Sequence, residues 1–332
     1  MVEENKIKVI GAGSPIVDVL AYVDDEFLKQ NISGEKGGME LVSEEELNRI
    51  LSLLEISKKA CGGSAGNTIF AMCKLGAEGS LIGKIGDDEN SSFYTQSLTE
   101  AGGSSENLIV LPDAPTAISL CMVTPDAART MRTNLGAAMH FSPEDISTAN
   151  FSGYPLLHTE GYLIFNRELI TKILKSARDA GCIISLDLSS FEVVNASKDF
   201  LPQLLEEYVD IIFANEDEAR AFCGTEDLDE CMDILSGYCK IFGLKIGGDG
   251  SKIKSGDTII EINPAMPDKI IDTTGAGDYW AAGFLYGYIK GLPLEKCGQL
   301  GSFMGREAVS ILGAELKDEQ WEKIFEFSST LF

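Results

Sequence analysis

The chain of 332 residues is long enough for two domains, or for one large α/β domain with an inserted segment, and it can bury a large core. Its 27 Lys plus Arg against 52 Asp plus Glu leave a formal charge of −25 and a sequence pI of about 4.4. A field of that sign repels nucleic acid and anionic membranes, which excludes both as partners, and a phosphate-bearing ligand then needs local N–H donors, a few fixed cations or a metal.

The first eight residues lack the apolar segment of a secretory signal, and residues 7–12 read as a buried strand. Gly11-Ala12-Gly13-Ser14-Pro15 breaks that strand. Its glycines invite a dinucleotide reading, but Pro15 opposes the helix such a turn must enter and position 16 is not Gly, so an NAD-dependent oxidoreductase is discounted. Asp18 is either an exposed turn acid or a carboxylate that accepts hydrogen bonds from two vicinal sugar hydroxyls. Residues 21–42, with Gly34, Gly37 and Gly38, are turn-rich and cannot form a core layer, but they can supply strands over a site. Ser43 caps an amphipathic helix with Leu47, Ile50, Leu51 and Leu54 at helical spacing. Cys61-Gly62-Gly63-Ser64-Ala65-Gly66-Asn67 leads into an apolar helix that ends at Gly76. It is a tight glycine turn, or a place where Gly62 and Gly63 let a small ligand approach the backbone while Asn67 offers a donor and an acceptor. A strand at 79–86, a helix at 91–102 and a strand at 107–111 establish the βαβ rhythm of a parallel sheet.

Residues 117–124 read as a strand, 125–130 as a turn and 131–135 as the returning strand, a hairpin outside that rhythm. Its Arg129 and Arg132 are either solvated charges or cations that reach a transferring phosphate. Further strands are expected at 156–162, 182–188, 209–214 and 241–246, and a helix at 167–180. Asp187, Asn215 and Glu218 fall at strand C-terminal ends, where ligands collect in open α/β sheets. As a bare pattern, Asn215-x-x-Glu218 is a helix N-cap with an acid in the first turn. Gly247-Gly248-Asp249-Gly250 is a turn, and the absence of Gly-x-x-x-x-Gly-Lys-Ser/Thr excludes P-loop chemistry.

The stretch Asp272-Thr273-Thr274-Gly275-Ala276-Gly277-Asp278 opens an apolar helical run to residue 289, and two more helices follow at 294–312 and 317–327. Two glycines around one alanine bare the backbone where the first unpaired helix N–H groups point outward, and the helix dipole adds positive potential there. Asp278 stands in that first turn, where the field favours its ionised form. The stretch is a glycine-led, Asp-capped helix start, or an anion hole with a base beside it, an arrangement suited to phosphoryl transfer to a hydroxyl. The longest apolar run contains Asp278 and ends at Lys290, so no membrane span is expected. Eight cysteines with no Cys-x-x-Cys pair read as reduced thiols of a cytoplasmic protein, and two histidines are too few for a His-based metal centre.

Taken together, Asp18, Gly62-Gly63, the 117–135 hairpin, Asn215-x-x-Glu218, Gly247 to Gly250 and the Asp272 to Asp278 string resemble the ribokinase-like (PfkB) carbohydrate and nucleoside kinases along essentially the whole chain. Gly62-Gly63-Ser64-x-x-Asn67, Asn134-Leu135-Gly136-Ala137-Ala138 and Val209 to Asn215 are most similar to the adenosine-kinase-like branch. The resemblance implies one ribokinase-like three-layer α/β/α domain over residues 1–332, with a mostly parallel central sheet and a small β lid from segments about 15–42 and about 115–135. It implies transfer of the ATP γ-phosphoryl to a primary hydroxyl of adenosine or another sugar or nucleoside. Asp278 would be the base, Gly275, Ala276 and Gly277 the phosphate donors, and Asp18, Gly62, Gly63, Asn67 and Arg132 the acceptor ligands. Asn215, Glu218, Gly247, Gly250 and Thr274 would hold the nucleotide, with Mg²⁺ near Glu218. Tyr162-Leu163 and Ser14 depart from the adenosine-kinase pattern and leave a free sugar as the alternative acceptor. A non-catalytic nucleotide or sugar sensor is a further alternative. A monovalent cation near the 272–278 loop, and a monomer or a homodimer, are compatible with the resemblance.

Overall fold

The computed structural model describes residues 7–126, 128–267 and 269–332. Residues 1–6, which belong to the leader reading, and Ala127 of the expected hairpin turn lie outside the described residues. The chain opens with β1 (Lys8–Ala12), β2 (Ile16–Tyr22), α1 (Asp25–Asn31), β3 (Met39–Leu41), α2 (Glu44–Leu51), β4 (Lys58–Gly62) and α3 (Ser64–Lys74). It continues through β5 (Glu78–Ile85), α4 (Glu89–Glu100), β6 (Leu108–Val110), β7 (Ala117–Val123), β8 (Arg129–Asn134) and β9 (Leu156–Glu160). Next come α5 (Arg167–Asp179), β10 (Ile183–Asp187), α6 (Phe191–Ala196), α7 (Leu201–Tyr208), β11 (Ile211–Asn215), α8 (Glu216–Cys223) and α9 (Leu228–Ser236). The last elements are β12 (Ile241–Lys245), β13 (Ser251–Ser255), β14 (Thr258–Ile262), α10 (Ala276–Ile289), α11 (Leu294–Val309) and α12 (Asp318–Ser329).

Nine strands form the main sheet in the order β14-β13-β12-β11-β10-β9-β1-β5-β6. All neighbours are parallel except the β12–β13 and β13–β14 pairs. Side-chain alternation sorts the core into two layers, because successive strand residues point to opposite faces. Val9, Leu81, Leu156, Ile211 and Phe213 pack beneath α3, α10 and α11. Their neighbours Ile10, Ile82, Leu157, Ile212 and Ala214 pack beneath α5, α7 and α9. The strand order reverses at β1, so the carboxyl ends of β1 and β9 to β12 open onto one crevice, where a ligand is expected in such a sheet.

A second sheet of five strands, β3-β8-β7-β2-β4, faces Thr274 and Gly313 across a small cavity. It draws on both segments expected to form it, and it also takes β4, which sequence reading treated only as the approach to a glycine turn. The antiparallel β13–β14 edge and α1 were likewise not expected. Asp24 caps α1 by accepting from Phe27 N at 2.7 Å, a local bond that holds a short helix within a turn-rich stretch. Among the described residues no helix is long and apolar enough to cross a membrane, and all eight cysteines are free.

Gly283 of α10 faces α11. A Cβ there would lie 2.9 Å from Gly301 N and Cα, so the two helix backbones touch across a glycine pair. Gly283→Val should lower stability by about 1–3 kcal/mol through overpacking, read as a lower urea midpoint.

Candidate active site

The site is organised by the turn that begins α10. Gly275 is its N-cap at φ 73°, a left-handed conformation that an L side chain resists, and a Cβ there would also meet Ala314 at 2.9 Å. Ala276 N is bonded to Thr273 O at 3.2 Å, closing the turn on itself. Of the expected phosphate donors Gly275, Ala276 and Gly277, Ala276 is thus spent within the turn, while helix geometry leaves the first-turn N–H of Gly277 facing outward, and with it that of Asp278, which was expected only as the base.

Asp278 is half-buried, and α3 holds its carboxylate. Ser64 Oγ donates to Oδ1 at 2.7 Å and Asn67 Nδ2 donates to Oδ2 at 2.8 Å. Gly63 makes this reach workable: it caps α3 at φ 87°, and a Cβ there would stand 2.1 Å from Ser14 O. The expectation that the helix field keeps Asp278 ionised is corrected. Burial dominates and raises its carboxyl to about 7, against the lowering by Asn67 and Ser64. That value suits a group that takes a proton near neutral pH.

Two cavities meet at this turn. The larger, about 510 Å³, is lined by Asn215, Lys245, Gly247, Gly250, Thr273, Ala276 and Gly277 among others, with Pro264, Met266, Ile270 and Val309 on its apolar side. The smaller, about 80 Å³, is lined by Asp18, Ser119, Cys121, Arg129, Met131 and Thr274. Gly62 makes room for Asp18, since a Cβ there would lie 2.5 Å from Asp18 Oδ2. Burial raises Asp18 to about 7, with Arg129 pulling it down and Asp272 pushing it up.

Arg129 crosses from the small sheet and donates to Asp272 Oδ1 and Thr274 Oγ1. Its Nε donates to Cys121 Sγ at 3.3 Å. Arg132, expected among the acceptor ligands, does not reach the site. It is buried at 1 % exposure and spent on the Ser33, Gly38 and Met131 carbonyls, with Glu40 at 3.7 Å, because side chains alternate across β8 and Arg132 falls on the opposite face from Arg129. Glu218, expected at the metal, is committed to a reciprocal cap. Its oxygens accept from Asn215 N at 2.8 Å and Asn215 Nδ2 at 2.7 Å. Burial and then the neighbouring Asp187 raise it to about 7. Among the described residues no cluster of three metal-ligating side chains occurs.

A model of the pfkB family carbohydrate kinases matches residues 42–321. The chain belongs to this family. It is similar to an adenosine kinase from Sinorhizobium meliloti at 31% identity, covering 97% of this chain and 99% of that one with a TM-score of 0.86. A probable sugar kinase from Rhizobium etli matches at 30% identity, 98% and 99% coverage and a TM-score of 0.87. An adenosine kinase from Saccharomyces cerevisiae is 26% identical, over 93% of this chain and 96% of its own. The protein is therefore a sugar or nucleoside kinase with the ribokinase-like fold, and it is similar to the adenosine-kinase-like branch that its motifs resemble. Kinases of this family use ATP, generally with Mg²⁺.

Sequence reading passed over three groups in this kinase. Ser64 was seen only as part of a glycine string. Glu160 ends β9, where buried position and backbone donors identify it: it accepts from Ser14 N at 3.0 Å and Ala65 N at 2.9 Å, tying β1's exit to the start of α3. Lys245 was absorbed into an apolar strand, although a lysine at the C-terminal end of a buried parallel strand is itself a signal. Phosphoryl transfer that needs Asp278 ionised should rise with pH through about 7. Ser64→Ala removes a bond to the charged form and should move that limb of the kcat/KM profile to higher pH, with a shift to lower pH contradicting the assignment.

Proposed function

We propose that this pfkB-family kinase moves the γ-phosphoryl group of MgATP to a primary hydroxyl of a ribonucleoside, with adenosine the leading acceptor. One observation carries the reading. A single turn separates the two cavities, offering Ala276 and Gly277 to the larger and Thr274 to the smaller, with the Asp278 carboxylate fixed beside it by Ser64 and Asn67.

In this reading ATP takes the larger cavity. Pro264, Met266, Ile270 and Val309 offer apolar surface to a base, and nothing lies within 4 Å of where a Cβ on Gly247 or Gly248 would stand. Mg²⁺ is usually held by phosphates with one or two carboxylates; Glu218, whose two oxygens accept from Asn215, would hold the ion through the lone pairs those bonds leave, and the ion would then neutralise phosphate charge. In the reaction the acceptor oxygen bonds to the γ-phosphorus as the bond to the departing ADP oxygen breaks. The electron pair leaves with ADP, and the acceptor proton passes to Asp278. The Gly277 and Asp278 N–H groups stabilise the transferring charge, and Arg129 adds a cation once it leaves Asp272 and Thr274. In this reading the small sheet acts as a lid that excludes water.

Val19, Leu20, Ala60, Cys121 and Met131 beside Asp18 and Ser119 support an acceptor with an apolar base and ribose hydroxyls. Two of the similar proteins above are adenosine kinases, which supports the same choice. Leu163 does not take part: it packs in the core behind the main sheet, and Tyr162 stays 42% exposed with its hydroxyl 3.5 Å from Ser189 O. The small volume of about 80 Å³ keeps a free sugar as the second reading, since a sugar needs less room than a nucleoside.

The deciding assay is ADP release from MgATP with adenosine, ribose, fructose and 2-keto-3-deoxygluconate as parallel acceptors. Turnover with adenosine is expected, and turnover with a sugar alone would replace the nucleoside reading. Asp278→Asn should retain ligand affinity while losing turnover by about 10²- to 10⁴-fold, whereas near-normal activity would remove Asp278 as the base.

A further inference from the structure

Lys245 is the last residue of β12 and pairs in register with Asn215 of β11. Its ammonium lies 2.6 Å from Asp187 Oδ2 at the end of β10, so the side chain crosses the end of β11 at the carboxyl edge of the sheet. Both side chains are enclosed, at 14% and 6% exposure. The same ammonium rests against the first turn of α10, 3.0 Å from where a Cβ on Gly277 would stand. Lys245, Asn215, Ala276 and Gly277 line one cavity. Fixed positive charge and the outward N–H groups of α10 therefore converge on one point, in a chain whose formal charge is −25.

A purely structural ion pair is a weak account of this placement. Burying two charges costs desolvation that the attraction between them often fails to repay, and an apolar pair of similar volume stabilises as well. An ammonium beside an anion hole has a second use. Lysine is a mobile point charge on a flexible stem, able to exchange one oxyanion for another without changing the backbone.

Resting on the kinase reading above, we propose that Lys245 is a phosphate-binding residue of this enzyme, held by Asp187 until a nucleoside triphosphate binds and then transferred to its terminal phosphoryl group. Asp187 is its positioning residue. Burial pulls the Lys245 pKa down, but Asp187 and then Glu218 more than offset it, so the side chain stays charged. A Cβ on Gly277 would stand 3.0 Å from the ammonium, so any side chain there would push the ammonium away by a few tenths of an ångström.

The test uses the full chain, at fixed free Mg²⁺, with Lys245→Met, Lys245→Arg and Asp187→Asn. Calorimetry measures the affinity of β,γ-imido-ATP and of ADP, and steady-state assays measure kcat and the acceptor KM. Lys245→Met should weaken the imido analogue about tenfold or more relative to ADP, in line with loss of a charge-assisted hydrogen bond. It should also lower kcat by about 10²-fold with the acceptor KM unchanged, and Lys245→Arg should recover part of both losses. Equal weakening of ADP and the analogue, or a kcat within about threefold of the parent, would overturn the proposal. If Lys245→Met fails to fold, Asp187→Asn decides: freeing the ammonium should raise the ratio of analogue to ADP affinity, and an unchanged or lower ratio overturns it. A parent protein that binds ATP but turns over no acceptor rejects the kinase reading alone, because the affinity ratio still tests Lys245.

Discussion

The turn from Asp272 to Asp278 owes its shape to distant parts of the chain. Asp272 accepts from Thr274 N at 3.0 Å within the turn, from Gly313 N at 2.7 Å beyond α11, and from Arg129 on the small sheet. Asp278 accepts from Ser64 and Asn67 of α3, and its backbone oxygen accepts from Thr68 Oγ1 at 3.2 Å. Each bond costs little alone, but together they over-determine a backbone with a left-handed glycine at its centre. The helix N-terminus is therefore aimed before any ligand arrives, and preorganised donors are worth most where water has already been displaced.

Placing acids around such a point has a thermodynamic cost. Burial raises Asp18, Glu218 and Asp278 each to about 7. An acid whose folded pKa lies above its unfolded value stabilises the fold below the unfolded pKa, and that contribution is lost as pH rises through about 7. At neutral pH the fold thus tolerates carboxylates held in costly surroundings. Arg129 and Lys245, each drawn to a buried carboxylate, keep that cost local. The two cations come from opposite sides of the turn, one from the small sheet and one from the main sheet, and so bracket the place where the cavities meet.

The small sheet sets what the smaller cavity presents. Its register sets Asp18 beside Ser119 and Cys121 beside Met131, so one face presents an acid, a hydroxyl and apolar groups together. Arg129 ties that face to the Asp272 loop, beside the cavity of about 80 Å³.

Local rules were enough to read the βαβ rhythm, the glycine-led start of α10 and the capping pair Asn215 and Glu218, because strand alternation, helix caps and glycine's conformational freedom act over a few residues. Family resemblance in the same residues placed Asp278, Gly277 and Asp18 near one another. Local rules could not separate Arg129 from Arg132, three positions apart, since only the pairing of β8 in its sheet decides which face each one joins. Nor could they find Ser64 as a partner of Asp278, 214 positions away, or see Lys245 leave an apolar strand for Asp187. They also assigned Asp278 a field-stabilised charge, because helix position is legible in sequence and burial is not. Sequence by itself determined which backbone segments could form an anion-binding turn. Only the tertiary structure decided which side chains surround that turn and how deeply they lie, because desolvation and long-range hydrogen bonds exist only once the layers have packed.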